Sequence, residues 1–268
     1  MNRSGIRRSR FRAGALAASA LVSVAVLTGC GGSGDGDFAV DASVSPSAAQ
    51  TSAAASAVKP LTAAQLDKLS LAASDLKGFD VRKPAAYERF TKDDLRTGEA
   101  DCAPVSQVMW GVALGDPAAT AQRRVDSGLD DTAIDAAESA EELDAAFTVT
   151  STTVSLASYD NEDQAKTALK SLRSSIAACD GGFQSSAGGT QDVGKVSTAT
   201  APDAGDEAVA FTATVSGDGG LLGPTKAVIF RRGSILAQFS TVNSAAVVSG
   251  DAWDFPTVLV ETQETKLG

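Results

Sequence analysis

Histidine is absent from this chain of 268 residues. It is the side chain whose ordinary pKa lies nearest neutral pH, and it is the commonest metal ligand. Its absence excludes Ser-His-Asp and Cys-His catalytic machinery and the His-Glu-x-x-His zinc motif. Phosphate-binding loops of the Gly-x-Gly-x-x-Gly and Walker types are absent as well. We therefore expect no catalytic residue, no metal site and no cofactor, although carboxylate chemistry remains open to an enzyme.

Long apolar runs are scarce, and the one near the N-terminus is short. Residues 13–27 form an apolar segment of 15 residues, whereas a membrane-spanning helix needs about 20. The segment follows a stretch whose only charges are basic, and this layout is typical of a secretory signal peptide. The basic residues are Arg3, Arg7, Arg8, Arg10 and Arg12. The pair Arg7-Arg8 leaves both Sec and twin-arginine export open.

The apolar segment ends in Leu27-Thr28-Gly29-Cys30. These four residues resemble the lipobox of bacterial lipoproteins, in which the cysteine becomes the lipidated first residue of the mature chain. We therefore predict that residues 1–29 are removed and that Cys30 is acylated, for example with palmitate. This places the protein on the extracytoplasmic face of the cell membrane. An unmodified Cys30 just after an ordinary cleavage site is the alternative.

Basic residues are in the minority, with 23 Lys and Arg against 33 Asp and Glu and a net charge of −10. Removal of residues 1–29 takes away five arginines and no acid, so 18 basic residues remain and the net charge becomes −15. Nucleic acids and anionic lipid surfaces attract cationic proteins. The composition thus argues against nucleic acid as a partner, leaves membrane attachment to the N-terminal lipid, and favours cationic partners.

Cysteine occurs three times, at Cys30, Cys102 and Cys179. If Cys30 carries the lipid, two thiols remain in an exported chain, and they most simply form one disulfide. The enclosed loop would stabilise the fold by about 4 kcal/mol in the chain-entropy model. Two buried free thiols are the alternative. A catalytic cysteine would lack a histidine to activate it.

Composition divides the rest of the chain into a tether and a domain. Residues 30–59 contain mostly Gly, Ser and Ala without apolar periodicity, which predicts a flexible linker spanning roughly 30 Å. Residues 60–268 are long enough to bury one sizeable core. We find no second linker and no internal repeat in this region.

Local patterns in residues 60–268 predict helices and strands in a mixed order. A capping box at Thr62 starts a short helix, and an apolar stripe at helical spacing predicts a helix that ends at Cys179. The other predicted elements are a helix from Pro104 to Trp110, strands over 118–125, 147–159 and 209–215, a Gly-rich turn over 216–223, a hairpin at Arg232-Gly233 and a closing helix from Pro256. A change of phase after Val149 predicts a β-bulge in the strand over 147–159. The order predicts an α+β domain with a mostly antiparallel sheet packed against a few helices.

Two features are weak candidates for ligand contact. Trp110 and Tyr87 carry aromatic rings that can line a pocket, although core packing is the more ordinary role of Trp110. Residues 126–144 carry eight acids and no base. This segment predicts a solvated loop and helix face, with a metal site or a cationic docking patch as the alternative.

Three local features support a resemblance to a known family. They are Val154-Ser155-Leu156-Ala157-Ser158-Tyr159, the capped helix ending at Cys179, and Gly205-Asp206-Glu207-Ala208 before a strand. Together with the lipobox they resemble actinobacterial lipoproteins with a PknH-like extracellular sensor domain, the external portion of a receptor kinase. The resemblance implies ligand binding in a cleft without catalysis. Fuller members of that family carry two disulfides, whereas only Cys102 and Cys179 are available here, and no ligand-binding residue can be carried over.

The sequence therefore supports a lipid-anchored, extracytoplasmic binding or sensing module. Its partners are the membrane, through the lipid, and an unknown small ligand or a cationic envelope component. The alternatives are a carboxylate-dependent hydrolase of the cell envelope and a structural lipoprotein that docks a partner through residues 126–144.

Cys30→Ala tests the predicted anchor. We expect the variant either to leave the membrane fraction or to stay unprocessed, because the thiol that accepts the lipid is gone. Membrane fractionation and intact-mass measurement distinguish these outcomes. A correctly cleaved variant that stays on the membrane as fully as the wild type would contradict the prediction.

Overall fold

The core of the fold is an antiparallel sheet, which has nine strands in the part of the chain that the structure describes. The structure is a computed structural model, and it describes residues 59–268 except 130, 147–148, 218–219 and 250–251. The strands are β1 (Phe79–Arg82), β2 (Arg96–Thr97), β3 (Ala119–Ser127), β4 (Thr150–Ser158), β5 (Phe183–Ser186), β6 (Thr190–Ala199), β7 (Glu207–Gly217), β8 (Gly220–Arg232) and β9 (Ile235–Asn243). Their order is β1-β3-β4-β9-β8-β7-β6-β5-β2. The predicted α+β class with an antiparallel sheet is confirmed.

The described part of the chain contains seven α-helices, some of which pack against the two faces of this sheet. They are α1 (Ala63–Leu69), α2 (Ala103–Met109), α3 (Asp131–Ala136), α4 (Ala140–Ala146), α5 (Glu162–Ala178), α6 (Ser244–Ser249) and α7 (Val258–Leu267). Successive strand residues point to opposite faces, and they accordingly belong to two separate apolar clusters. One cluster contains α2, α5 and Phe211, and the other contains α1, α7 and Ala210. Among the described helices, none is both long and apolar enough to cross a membrane.

Helix α5 is the element that sequence periodicity predicts most clearly. The side chain of Asn161 accepts a hydrogen bond from the backbone N–H of Gln164 at 2.9 Å and caps the helix. Leu169 and Leu172 lie on its buried stripe. The chain then turns at Gly182, where φ is 87° and an added Cβ would lie 2.2 Å from a backbone oxygen. Helix α5 ends before this turn, at Ala178, and only glycine fits the turn.

The bulge predicted in the strand over 147–159 is wrong for its described part. Strand β4 pairs with β3 and β9 without any register shift, and Phe147 lies outside the described residues. The misleading signal arises because β4 is a central strand with both faces buried. Thr152 and Ser155 are buried polar residues on opposite faces, so apolar and polar residues do not alternate along the strand.

Strand β6 was not predicted, and the turn over 216–223 was predicted too long. In β6 the buried residues Val193 and Val196 are three positions apart, because a register shift follows Val193. That bulge breaks the two-residue period by which strands are recognised. The turn is shorter than predicted because β7 continues to Gly217 and β8 begins at Gly220.

Arg231 binds three carboxylates, which come from two places in the chain. Its side chain is only 6% exposed and bonds Glu207 at 2.8 Å, Asp206 at 2.8 Å and Glu162 at 3.0 Å. Burial opposes ionisation of Glu207, yet hydrogen bonds from Arg231 and Arg173 outweigh it, and its pKa lies below the ordinary value. A buried guanidinium needs such partners. The acidic pair Asp206-Glu207, which carried part of the family resemblance, is therefore a structural feature here.

The structure contains the disulfide between Cys102 and Cys179, in agreement with the prediction. Both residues are buried. Cys102 directly precedes α2, and Cys179 directly follows α5. The bond therefore joins the start of one helix to the end of the other on the same face of the sheet.

Replacing Cys102 and Cys179 together by alanine is expected to lower the free energy of unfolding by up to about 4 kcal/mol, because the unfolded chain regains the entropy of a closed loop. Urea denaturation of the full chain, followed by circular dichroism, measures the change. The single variant Cys30→Ala is the matched control and should keep wild-type stability. Equal stability of the double variant and this control would contradict the expected contribution.

Candidate functional site

The floor of the candidate site is a backbone segment, residues 109–117, that β9 holds through a buried amide. Gln238 on β9 is 2% exposed. Its side-chain oxygen accepts the N–H of Leu114 at 2.9 Å, and its side-chain nitrogen donates to the carbonyl of Val112 at 3.1 Å. A buried amide with an unmade hydrogen bond costs about 1–3 kcal/mol. Gln238 therefore needs the backbone of this segment as its hydrogen-bond partner, and its hydrogen bonds in turn hold the segment on the sheet.

Two serines continue this attachment along the same face of the sheet. Ser155 on β4 donates to the carbonyl of Gly111 at 2.7 Å, and Ser240 on β9 donates to the carbonyl of Met109 at 3.0 Å. The segment thus lies on the sheet through polar contacts, where most of the fold packs through apolar ones. This arrangement explains why the residues at 155, 238 and 240 are polar although they are buried.

Tyr159 supports the same segment from the end of β4. Its buried hydroxyl donates to the carbonyl of Leu114 at 2.6 Å. Burial raises the pKa of Tyr159 well above its usual range, with a smaller contribution from the negative charge of Asp116. The phenol therefore stays protonated and acts as a hydrogen-bond donor.

One wall of the site is formed by residues 86–92, which we call the strap. Glu88 anchors it through two hydrogen bonds from Arg82, at 2.6 and 2.8 Å. The hydrogen bonds from Arg82, and then the one from the backbone N–H of Ala85, lower the pKa of Glu88 to about 2. On the other side, the ring of Phe90 packs edge-on against Trp110, with 5.1 Å between ring centroids. Two fixed side chains thus flank Arg89.

A groove runs between the strap, the floor and strand β3. Its central depression has a volume of about 610 Å³ and is lined by Phe90, Val112, Gln122 and Ser155, among others. Two further depressions adjoin it, because each shares lining residues with it. We call them the acidic lobe, of about 610 Å³, and the basic lobe, of about 490 Å³.

The acidic lobe is joined to the central depression by Gly115 and Asp116. It contains the carboxylates of Asp116, Asp160 and Asp163. Asp116 is already held by Lys92 of the strap, with 2.6 Å between nitrogen and oxygen. Within the described residues, no group of three His, Cys, Asp or Glu side chains is arranged to hold a metal ion.

The basic lobe is joined to the central depression by Arg89, Thr120 and Gln122. Its other charged residues are linked to one another. Asp67 accepts hydrogen bonds from Arg123 at 2.8 Å and Lys83 at 3.0 Å. The hydrogen bond from Arg123, and then the one from Lys83, lower the pKa of Asp67.

The structure places the two weak candidates for ligand contact beside this groove. Tyr87 belongs to the strap and is 81% exposed, but it does not line any of the three depressions. Trp110 supports the strap through Phe90, and its indole N–H donates to the hydroxyl of Ser185 at 2.9 Å. The residues that line the groove, such as Arg89 and Gln122, carried no recognisable sequence signal because only the fold brings them together.

The acidic segment 126–144 lies on other elements. Asp126 lies near the end of β3 and pairs with Arg124 at 3.2 Å and with Arg82 at 3.6 Å. The following helices α3 and α4 carry most of the remaining acids, and Glu142 accepts backbone hydrogen bonds near the start of α4. The lipidation candidate Cys30 lies outside the described residues.

Comparisons with known proteins find only weak similarity. A scan against protein-family models and a search of curated proteins each find no match. The extracellular domain of PknH from Mycobacterium tuberculosis is 11% identical, with a TM-score of 0.45, and the match covers 78% of this chain and 95% of that domain. An uncharacterised protein from Mycobacterium smegmatis is 10% identical, with a TM-score of 0.29, over 76% of this chain and 93% of that one. The lipoprotein part of the resemblance stays a prediction.

Gly111→Ala tests how closely the floor must approach β4. Gly111 has a φ of 70°, and an added Cβ would lie 2.5 Å from Cγ2 of Thr153. Backbone strain and the clash together should cost at least about 2 kcal/mol in the free energy of unfolding. Thermal and urea denaturation measure this loss.

Two further variants separate the causes of that loss. Thr153→Ser removes the clashing methyl group and keeps the hydroxyl, so the double variant should recover part of the stability. Gly181→Ala is the matched control, because an added Cβ there meets nothing within 4 Å, and it should change stability little. Equal effects of Gly111→Ala and Gly181→Ala would show that the approach is not tight.

Proposed function

We propose that this protein is a lipid-anchored binding or sensing module of the cell envelope, held at the extracytoplasmic face of the membrane by acylated Cys30. It binds a small ligand in the groove between the strap, the floor and β3, and it does not transform that ligand. The observation that carries this proposal is the groove itself. Its interior is open, and its walls are held in place by hydrogen bonds and by the packing of Phe90 against Trp110.

The location rests on two features that agree. Residues 1–30 have the layout of a lipoprotein signal peptide. The disulfide between Cys102 and Cys179 is of a kind that persists in oxidising compartments outside the cytosol.

The binding role rests on preorganisation. Gln238, Ser155 and Ser240 hold the floor, and Glu88 and Phe90 hold the strap. A site whose walls are already ordered does not lose their conformational entropy when a ligand enters. Ligand sites are typically preformed concavities of several hundred Å³ with a few polar groups, and the groove has this character.

Thr120→Trp tests the proposed groove. Thr120 is exposed on β3 and lines both the central depression and the basic lobe, so an indole there fills the space that a ligand would occupy. The full chain is expressed with its own export signal and purified in detergent. Small molecules bound to the purified protein are then extracted and identified by mass spectrometry. We expect Thr120→Trp to carry about tenfold less of the wild-type compound.

Thr198→Trp is the matched control, because Thr198 is an exposed threonine on β6, which does not line the groove. It should retain the compound at the wild-type level. Equal retention by both variants would place the ligand elsewhere, and recovery of no compound would favour a partner-docking role. Turnover of glycan, ester or peptide substrates that disappears with one Asp or Glu would favour the carboxylate-dependent hydrolase.

A further inference from the structure

The central depression and the basic lobe of the groove concentrate positive charge on a protein whose net charge is −10. The central depression and the basic lobe together are lined by four cations, Lys83, Arg89, Lys92 and Arg123. They contain two carboxylates, those of Asp67 and Asp116. On an acidic protein, anions are repelled by most of the surface, so a local excess of cations selects where an anion can bind.

The ion pairs show where this excess lies. Lys92 is matched by Asp116 at 2.6 Å. Lys83 and Arg123 share the single carboxylate of Asp67, at 3.0 and 2.8 Å. This arrangement leaves about one positive charge uncompensated at Asp67 and a second on Arg89.

Arg89 is the cation of the groove whose charged group has no partner among the described residues, so it is available to a ligand. It is exposed, and it lines both the central depression and the basic lobe. Within the described part of the chain its guanidinium forms neither an ion pair nor a hydrogen bond, whereas Arg123 is 11% exposed in its side chain and is held by Asp67.

The backbone of Arg89 is held in place on both sides. Glu88 is fixed by two hydrogen bonds from Arg82, and Phe90 is packed against Trp110. A guanidinium presents donors in a planar fork that matches a carboxylate or a phosphate with two parallel hydrogen bonds. A fixed backbone reduces the entropy lost when the fork engages its partner.

We propose that the ligand of the groove is anionic and that Arg89 binds its carboxylate or phosphate group. This inference rests on the proposed function, because it names the chemistry of the same site. The acidic lobe at the opposite end, with Asp160 and Asp163 beside Asp116, repels the anionic group. The charges therefore also orient an elongated ligand, with its anionic end in the basic lobe.

The test uses the full chain in detergent, labelled with ¹⁵N, and three probes of known chemistry. Inorganic phosphate and acetyl-glycyl-glycine with a free carboxylate represent the two anion types, and acetyl-glycyl-glycine amide is the matched neutral probe. Nuclear magnetic resonance follows the side-chain Nε–H of Arg89 and the amide of Val112 on the floor. We expect saturable shifts with at least one anion, none with the amide, and weaker binding as salt screens the charges.

Arg89→Gln and Lys195→Gln make the assignment specific. Both variants remove one positive charge, but Lys195 is exposed on β6 and does not line the groove. Followed through the Val112 amide, Arg89→Gln should weaken anion binding about tenfold or more, while Lys195→Gln should bind as the wild type does. The anion that binds more tightly identifies the group as a carboxylate or a phosphate.

The results that overturn this inference differ from those that overturn the proposed function. Equal binding of acetyl-glycyl-glycine and its amide, or unchanged affinity in Arg89→Gln, would overturn the anionic assignment. Absence of a shift with every probe would overturn it as well. In each case, loss of the co-purified compound from Thr120→Trp, but not from Thr198→Trp, would leave the groove as the binding site.

Discussion

Gln238 sits at the centre of the sheet, where its amide can be satisfied only by the backbone of another segment. It is 2% exposed, and its two hydrogen bonds reach Leu114 and Val112. Because a buried amide left unpaired costs about 1–3 kcal/mol, the segment over 109–117 must lie on β4 and β9. The close approach at Gly111 and the hydroxyl bond from Tyr159 are further consequences of that placement. The floor of the groove therefore belongs to the core of the fold.

The rest of the groove is built against this floor. The strap is held by Glu88 at one side and by Phe90 at the other. Arg89 lies between these two anchored residues, and its side chain is exposed. The charges along the groove are unequal because Arg123 and Lys83 compete for Asp67, while Asp116 is matched by Lys92. A polarised groove with ordered walls suits recognition of a charged ligand in one orientation, and this arrangement is the physical basis of the proposed function.

Patterns that depend on neighbouring residues were predicted well. The capping box at Thr62 and the apolar stripe of α5 each require only a few consecutive positions, and the structure has them. Strands were harder to predict where pairing changes the pattern. The bulge in β6 separates Val193 and Val196 by three positions, and burial on both faces removes the alternation of β4. The sequence predicted a bulge, but in the wrong strand, because the phase of a strand depends on its partners.

The sequence by itself determined the composition and the types of element. It excluded histidine chemistry, predicted the export segment and the pairing of Cys102 with Cys179, and indicated an antiparallel α+β domain. Only the tertiary structure decided which charges are matched and which remain available. Arg231 lies among three carboxylates from distant positions, whereas Arg89 faces the groove. Arg89 follows Glu88 directly in the chain, whereas Arg231 has no acidic neighbour. Their pairing is the reverse of this order because ion pairing is set by distances between elements that local sequence does not encode.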